Sequence, residues 1–452
     1  MARFISETTF EDIPERVRSR VKLCVLDTIG CGLFGSTLPW GKIVWDWASE
    51  WAGKPVSSVF GRSRRLPPAL AALVNGTMIH GFEMDDLHKE SIVHLGAVTF
   101  PAALALAETL DQCSGAQLLS AVCIGYEVGA RVGSSIGTSH LLRGFHPTGT
   151  SGTFASGAAA AKVMGFDVDL TRHTIGIAAT QGAGLMSAQY SAMVKRMHAG
   201  RAAQAGVYAA TLAQRGFTGI ENVIEAEYGG FCSTMADSHD LARITRAIGH
   251  EWEAEKITFK PYPCCGSVHT ALDGLIEIVN EEGIDYGDVE KVRVQVSSVT
   301  KKHVGWEYRP DSVTSAQMNM YYCLAALLTE GRLTVEQFTP ERISDPRILD
   351  RVRDISVEVS PTLDALGPLF RHSVIVEVSC RDGRNFEKRV DHSRGSPQKP
   401  MSDADIVDKF MTNARAAGWR QAEDIKAAVM GLEDLGDVLL LAGLIRGYAR
   451  TD

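Results

Sequence analysis

The spacing of apolar and polar positions changes near residue 260, and the change predicts two kinds of architecture in one chain. Before it, apolar residues recur at helical spacing, as in the stretch that follows Pro14 and ends among glycines near Gly35. Several such segments are rich in alanine and glycine, which let helix backbones approach closely. We therefore predict that residues 1–260 form the first part of a compact all-helical domain.

Beyond residue 260, apolar and polar residues alternate in four segments, which is the pattern of strands with one buried face. These segments are 289–297, 354–360, 373–380 and 385–391. Helical patterns lie between them, so we predict a small α+β domain over residues 261–397. Helical spacing then returns, and residues 398–452 are predicted to be C-terminal helices that rejoin the first domain. The predicted fold class is mainly α.

Composition and charge narrow the possible functions. The chain has 452 residues, of which 45% are hydrophobic and 22% are charged, as in globular proteins. The net charge of −8 argues against nucleic acid or an anionic membrane as the main partner. The N-terminus lacks the apolar core of a secretory signal, and no apolar run approaches the roughly 18 to 20 residues that span a bilayer. The nine cysteines lie mostly in apolar segments, which predicts reduced core thiols in a cytoplasmic protein.

Two glycine-rich segments approach the spacing of nucleotide-binding loops but lack the defining features of such loops. GFHPTGT (144–150) has phosphate-loop spacing, but Thr150 stands where lysine is required and no strand precedes it. GAGLMS (182–187) is close to G-x-G-x-x-G, but it lies within a helical run of small residues. We interpret both segments as packing glycines.

Residues 81–98 concentrate acidic and imidazole side chains. The members of this group are Glu83, Asp85, Asp86, His88, Glu90 and His94. Their spacing matches neither H-E-x-x-H nor an EF-hand loop. Asp85 and His88 would share one face if the stretch were helical, so a metal pair stays open, as does a solvated loop. A metal-dependent hydrolase built on this stretch would use Asp85, Asp86, His88 and His94.

Four further basic residues lie beside Gly/Pro turns or at the start of small-residue helices: His146, Lys195, His198 and His269. One such histidine alone is more often a hydrogen-bonded core residue. Several together predict a shared cleft, because a turn that opens a helix also supplies free backbone N–H groups that suit an anion.

At these segments the chain resembles the MmgE/PrpD family, which includes 2-methylcitrate dehydratase, cis-aconitate decarboxylase and iminodisuccinate epimerase. The similarity runs along essentially the whole chain and is clearest in HGFEMDDLH, HLGAV, GFHPTGTSGTFASGAAAAKVMG, MVKRMHAGRAA and KPYPCCGSVHTALD. The resemblance implies a large all-helical domain with an inserted α+β lid domain. It also implies a homodimer and a site that uses no metal or organic cofactor.

The resemblance also implies which residues do the chemistry. The expected catalytic residues are His94, His146, Lys195, His269, Asp85 and Asp86. The expected substrate contacts are Glu83, Arg196, His198, Trp306 and Tyr308. In this hypothesis His94 and His146 are the acid/base pair, and Asp85 or Asp86 orients them. Lys195, with His269 from the lid domain, would bind or polarise carboxylates.

Some positions depart from the usual family pattern. Glu83 stands where aspartate is usual, Leu87 replaces threonine, and Leu95 and Arg196 replace proline. These departures leave the fold intact and the exact substrate open.

The predicted reaction is proton transfer next to a carboxylate of a small di- or tricarboxylate. Histidine suits this task because it titrates near neutral pH, and cations stabilise the negative charge that develops. We favour a hydro-lyase similar to 2-methylcitrate dehydratase. A cis-aconitate-type decarboxylase and an epimerase are the next candidates, and a non-catalytic carboxylate-binding protein is the alternative from another class.

Overall fold

The structure, a computed structural model, describes residues 1–51 and 53–446. Helices dominate the described residues, which confirms the predicted mainly α class. The α-helices are α1 (Ala2–Glu7), α2 (Glu15–Gly35), α3 (Pro39–Ser49), α4 (Pro68–Ile79), α5 (Leu95–Ala107), α6 (Gly115–Leu142), α7 (Pro147–Thr150), α8 (Gly152–Val163), α9 (Val168–Ala179), α10 (Val194–Ala213), α11 (Phe231–Met235), α12 (Ala242–Thr245), α13 (His269–Glu282), α14 (Ser298–Val304), α15 (Val313–Gln317), α16 (Met320–Glu330), α17 (Pro346–Val352), α18 (Pro361–Asp364), α19 (Asp403–Ala416), α20 (Ala422–Met430) and α21 (Leu439–Arg446).

The strands are short and few. They are β1 (Ser57–Val59), β2 (Arg62–Leu66), β3 (Leu87–His88), β4 (Ile257–Thr258), β5 (Val289–Val296), β6 (Ile355–Val359), β7 (Val374–Cys380) and β8 (Asn385–Val390). The first four form two antiparallel pairs within the region predicted to be purely helical. The last four correspond to the four alternating segments found in the sequence.

The chain divides into two compact units. Unit 1 comprises Met1–Met186, Val194–Phe259 and Ser402–Asp452, and unit 2 comprises Ser187–Met193 and Lys260–Met401. The grouping of Ser187–Met193 with unit 2 has no counterpart in the sequence patterning. The part of the predicted C-terminal helices at residues 447–452 lies outside the described residues.

The helices of unit 1 pack at close range because glycines face one another. Helix α8 contacts α5, α6, α9 and α10, and α10 also contacts α4. A Cβ atom at Gly76 of α4 would lie 2.8 Å from Cα of Gly200 in α10, so neither position has room for a side chain. This contact brings the C-terminal end of α4 beside the N-terminal half of α10, where Lys195 and His198 lie.

Unit 2 is built around one four-stranded sheet with the order β6-β5-β7-β8. Strands β5 and β6 run parallel, and the other two pairings are antiparallel. Burial alternates along β7, where Val374, Val376 and Val378 are buried, and α13 packs against β7 and β8. One face of this sheet is therefore the core of the unit, as the alternating pattern predicted.

Two further expectations concern burial and membranes. All nine cysteines lie in the described part of the chain and are buried. Among the described residues, no single helix is long and apolar enough to cross a membrane, and one pair, α2 with α3, reaches that length and hydropathy only across an 83° bend. The cytoplasmic location stays a prediction.

Candidate active site

The acidic segment after α4 is a tight irregular turn, and this overturns the suggestion that Asp85 and His88 share a helical face. Residues His80–Phe82 form a short 3₁₀ turn, and Glu83 then adopts a left-handed conformation with φ of 56°. That conformation is costly for a residue with a side chain, so packing must hold it. The chain then reaches His94, which occupies the position just before the first residue of α5.

Asp85 lies between two imidazoles. Its Oδ2 is 2.9 Å from Nδ1 of His80 and 3.2 Å from Nδ1 of His94. Burial opposes the ionisation of Asp85, but His94 and His80 outweigh burial and hold the pKa of this carboxyl well below its usual range. Burial lowers the pKa of His80 to about 3, so His80 is neutral and donates from Nδ1 to the carboxylate.

Asp86 points elsewhere and anchors the start of α5. Its Oδ1 accepts a hydrogen bond from the backbone N–H of Gly96 at 3.0 Å, and its Oδ2 accepts one from the Tyr126 hydroxyl at 2.6 Å. Burial raises the pKa of Asp86 to about 7. A Cβ at Gly96 would lie 2.1 Å from Oγ1 of Thr28, so only glycine allows this approach. Asp86 therefore positions the backbone next to His94 instead of touching an imidazole.

His146 directly precedes the short helix α7 and lies beside the same cluster. The backbone N–H of His94 donates to Oγ1 of Thr148 in α7 at 3.2 Å, which ties the two histidine segments together. The His80 ring centroid is 4.6 Å from that of His94 and 5.5 Å from that of His146. Four imidazoles thus form a continuous cluster, with His198 as its outer member, because Nδ1 of His146 lies 3.0 Å from Nδ1 of His198.

Burial and the nearby positive charge of Lys195 keep the outer histidines neutral. Burial and then Lys195 lower the pKa of His146 well below its usual value, and the same two causes lower the pKa of His198 to about 4. Near neutral pH each of these imidazoles therefore carries one N–H and one unprotonated nitrogen.

Lys195 and Arg196 converge on Glu83. The ammonium of Lys195 and Nη1 of Arg196 both contact Oε1 of Glu83, the latter at 2.6 Å. Arg196 has no exposed surface and its guanidinium lies 5.8 Å from the centre of the Trp40 ring, whereas Lys195 is 3% exposed. Lys195 is the cation that lowers the pKa values of the nearby imidazoles His80, His146 and His198. The predicted roles of Glu83 and Arg196 as substrate contacts stay predictions.

Of the four members of the alternative hydrolase site, Asp85 and His94 contact each other, whereas Asp86 and His88 face other partners. His88 contacts Glu253 at 3.1 Å through Nε2 and Ser91 at 3.0 Å through Nδ1, while Asp85 and Asp86 have the partners described above. The grouping among described residues with metal-like spacing is another one, His80, Asp85 and His94, whose donor atoms lie within 4.8 Å of one another. A hydrogen bond accounts for the contact between His80 and Asp85, and Nδ1 of His94 lies 3.2 Å from the same carboxylate oxygen.

The remaining predicted residues belong to unit 2. His269 begins α13, is buried, and contacts the Cys264 carbonyl at 3.2 Å through Nε2. Tyr308 donates its hydroxyl to the Ile343 carbonyl at 2.9 Å, and Trp306 stacks edge-on with Tyr190. Their roles toward a substrate stay predictions.

Sequence reasoning assigned no role to His80, the residue that completes the cluster. It directly follows the largely buried helix α4. The available signal was its position as the first residue of the HGFEMDDLH motif, which also contains Glu83 and Asp85.

Comparisons with known proteins identify the family. Residues 1–244 match the MmgE/PrpD N-terminal domain, and residues 262–434 match the MmgE/PrpD C-terminal domain. The chain belongs to the MmgE/PrpD family. It is 32% identical to the cis-aconitate decarboxylase-like protein oryM of Aspergillus oryzae, over 99% of this chain and 96% of that protein.

Two other relatives differ in their sequence identity to this chain. The cis-aconitate decarboxylase of Aspergillus terreus is 30% identical over 98% of this MmgE/PrpD chain and 95% of its own length. The 2-methylcitrate dehydratase of Salmonella typhimurium is 24% identical over 89% of this chain and 87% of its own length. The family resemblance is confirmed, and the names of these relatives refer to two different reactions.

Proposed function

We propose that this chain is a lyase that decarboxylates an unsaturated tricarboxylate of the cis-aconitate type. The relatives named cis-aconitate decarboxylase are more similar, and over more of the chain, than the relative named 2-methylcitrate dehydratase. This ranking favours decarboxylation over the hydro-lyase reaction that the sequence favoured, which becomes the second candidate.

The observation that carries the proposal is the cluster of imidazoles and one ammonium in unit 1. His94, His146 and Lys195 come from separate segments. His94 contacts Asp85, and the rings of His94 and His146 both lie beside His80. The charge of Lys195 acts on His146 and lowers its pKa. Acid, base and cation are the groups that proton transfer next to a carboxylate requires.

Decarboxylation places two demands on the site. The bond to the departing carboxylate breaks, carbon dioxide leaves, and the electron pair stays on carbon, where it delocalises through the double bond onto a neighbouring carboxylate. The carbanion then takes a proton to give an unsaturated dicarboxylate. The site must stabilise the added negative charge and deliver that proton.

The cluster can meet both demands. Lys195 supplies positive charge for a carboxylate, and Asp85 holds His94 with Nδ1 inward, so that its Nε2 is the nitrogen left for a substrate. His146 is neutral in the unliganded protein. A bound polycarboxylate raises the pKa of a neighbouring imidazole, so His146 takes up a proton from solvent when the substrate binds. We assign His146 as the proton donor.

Self-association is part of the proposal. Tyr208 and Leu212, one turn apart on α10, are 42% and 39% exposed, and Phe217 and Ile220 nearby are also exposed. Apolar residues grouped in this way suit an interface between subunits. We propose a homodimer, and light scattering after gel filtration should give about twice the chain mass of 48.9 kDa.

The test is incubation of the purified chain with cis-aconitate, 2-methylcitrate, citrate and malate in separate reactions, followed by NMR and by carbon dioxide release. We expect carbon dioxide and an unsaturated dicarboxylate from cis-aconitate. Water elimination from 2-methylcitrate without carbon dioxide release would favour the second candidate, and no turnover of any substrate would reject both.

Single substitutions test whether the imidazole cluster and Lys195 carry out the reaction. His146→Gln and Lys195→Met should each lower kcat/KM by about a hundredfold or more. His88→Gln is the matched control, because glutamine can keep the contact that Nε2 of His88 makes with Glu253. The control should turn over at close to the wild-type rate.

A further inference from the structure

His198 occupies a distinctive place in the imidazole cluster. Its Nδ1 lies 3.0 Å from Nδ1 of His146, which is a hydrogen-bond distance between two neutral rings. Neutral imidazole carries one N–H, so one of these two nitrogens must donate and the other must accept. The contact therefore couples the tautomers of the two rings.

The packing around the pair holds this contact in place. The backbone N–H of His146 donates to the Gly184 carbonyl at 3.0 Å, and a Cβ at Gly184 would lie 3.2 Å from the His198 ring. A Cβ at Gly149 would lie 3.2 Å from Cβ of His198. The glycines fit closely against His198, so the ring has little freedom to leave its partner.

The role of His146 as a proton donor decides the direction of this hydrogen bond. An imidazolium carries an N–H on both ring nitrogens, so a protonated His146 can only donate from Nδ1 across the 3.0 Å contact. His198 must then accept with an unprotonated Nδ1, and burial, followed by Lys195, lowers the pKa of His198 to about 4, which keeps that ring neutral. After Nε2 has released its proton, His146 keeps the N–H on Nδ1 and remains the donor.

We infer that His198 is a positioning residue that accepts a hydrogen bond from Nδ1–H of His146, so that Nε2 of His146 is the nitrogen that exchanges a proton with the substrate. The inference rests on the proposed function for the identity of that substrate. It replaces the predicted role of His198 as a substrate contact. His198 then does for His146 what Asp85 does for His94, but with a neutral acceptor in place of a carboxylate.

Because their acceptors differ, His94 and His146 differ in the acidity of their protonated rings. A carboxylate favours a protonated imidazole, whereas a neutral imidazole acceptor does so only weakly. Once protonated, His146 is therefore the stronger acid of the two, as a donor of a proton to a carbanion should be. In that step Nε2–H of the His146 imidazolium breaks, the new C–H bond forms, and His146 returns to the neutral Nδ1–H form.

The direct test is nitrogen-15 NMR of the full chain labelled at histidine, without substrate, near pH 7.5, with His146 signals assigned from the His146→Gln spectrum. We expect Nδ1 of His146 to be protonated and Nε2 to show the shift of an unprotonated nitrogen. The reverse pattern would overturn the inference. Because no substrate is present, this result is independent of whether cis-aconitate is the substrate.

Two variants connect the tautomer to turnover. His198→Leu removes the acceptor, and we expect kcat to fall about tenfold to a hundredfold with KM within about threefold, together with loss of the single His146 tautomer. His198→Asn offers an amide oxygen near the position of Nδ1 and should recover most of the rate. Equal losses in both variants, with an unchanged His146 spectrum, would show that His198 only fills space. His88 is buried and lies outside the cluster, so His88→Leu is a control for the loss of a buried imidazole. This variant should leave the His146 tautomer as in the wild type.

Discussion

Nδ1 of His80 lies 2.9 Å from Oδ2 of Asp85, and both side chains are removed from solvent. An ionised carboxylate can only accept, so the neutral His80 must donate from Nδ1. His80 therefore holds Asp85 in the position from which it also faces His94.

Replacement of His80 should show this holding role. His80→Leu leaves Asp85 without one donor, and we expect a loss of about 1 to 3 kcal/mol in the free energy of unfolding together with reduced turnover. His80→Asn, whose amide can imitate Nδ1–H, should recover most of both. Urea denaturation and initial rates measure the effects. If the leucine variant matched the wild type in both measurements, His80 would have no such role.

Glu83 balances two buried cations, and removal of its charge should be costly. Glu83→Gln leaves Lys195 and Arg196 without the carboxylate that both contact, so we expect a loss of about 3 to 5 kcal/mol in the free energy of unfolding. Asp237→Asn breaks the exposed pair with Arg143 and should cost no more than about 1 kcal/mol. Similar losses in the two variants would contradict the account of Glu83.

Acid should destabilise the cluster through its neutral histidines. Burial lowers the pKa of His80 to about 3 and that of His198 to about 4, while an unfolded histidine titrates near 6.5. Between these values the unfolded chain binds more protons, so the stability contributed by these groups is present above about pH 6.5 and is lost as pH falls. His80→Asn removes one such group and should flatten the dependence of unfolding free energy on pH below 6 by about 1 kcal/mol per pH unit. An unchanged slope would show that His80 does not titrate in this way.

The raised pKa of Asp86 predicts the opposite dependence of stability on pH. Burial raises its pKa to about 7, well above the unfolded value near 3.9, so its contribution to stability is lost as pH rises from about 4 through 7. Asp86→Asn keeps an acceptor for Gly96 but cannot ionise. The stability of this variant relative to the wild type should therefore increase between pH 5 and pH 8, as measured by denaturant titration at each pH. A constant difference would mean that Asp86 does not change its ionisation over this range.

Much of the fold could be predicted because its patterns are local. The alternation in 289–297 and 373–380 reports directly on burial in a sheet, and β5 and β7 formed where it occurs. The hairpin of β1 and β2 was missed because β2, with the sequence RSRRL, has almost no apolar face to reveal it.

The site was only partly predictable because its contacts are not local. Asp85 and Asp86 are adjacent, yet one faces two imidazoles and the other caps a helix through Gly96. His88 looked like a partner of Asp85, but β3 pairs with β4 and its imidazole contacts Glu253. Such choices depend on tertiary partners far along the chain, which the spacing of residues in one segment does not reveal.

The central claim is that this cluster protonates a carbanion formed by loss of carbon dioxide. The most direct measurement is the reaction of the wild-type chain with cis-aconitate in D₂O, followed by NMR of the product and by carbon dioxide release. The account predicts an unsaturated dicarboxylate with one deuterium on a carbon next to a carboxylate for each carbon dioxide released. Deuterium entering unreacted cis-aconitate without carbon dioxide release, or a product free of deuterium, would contradict it.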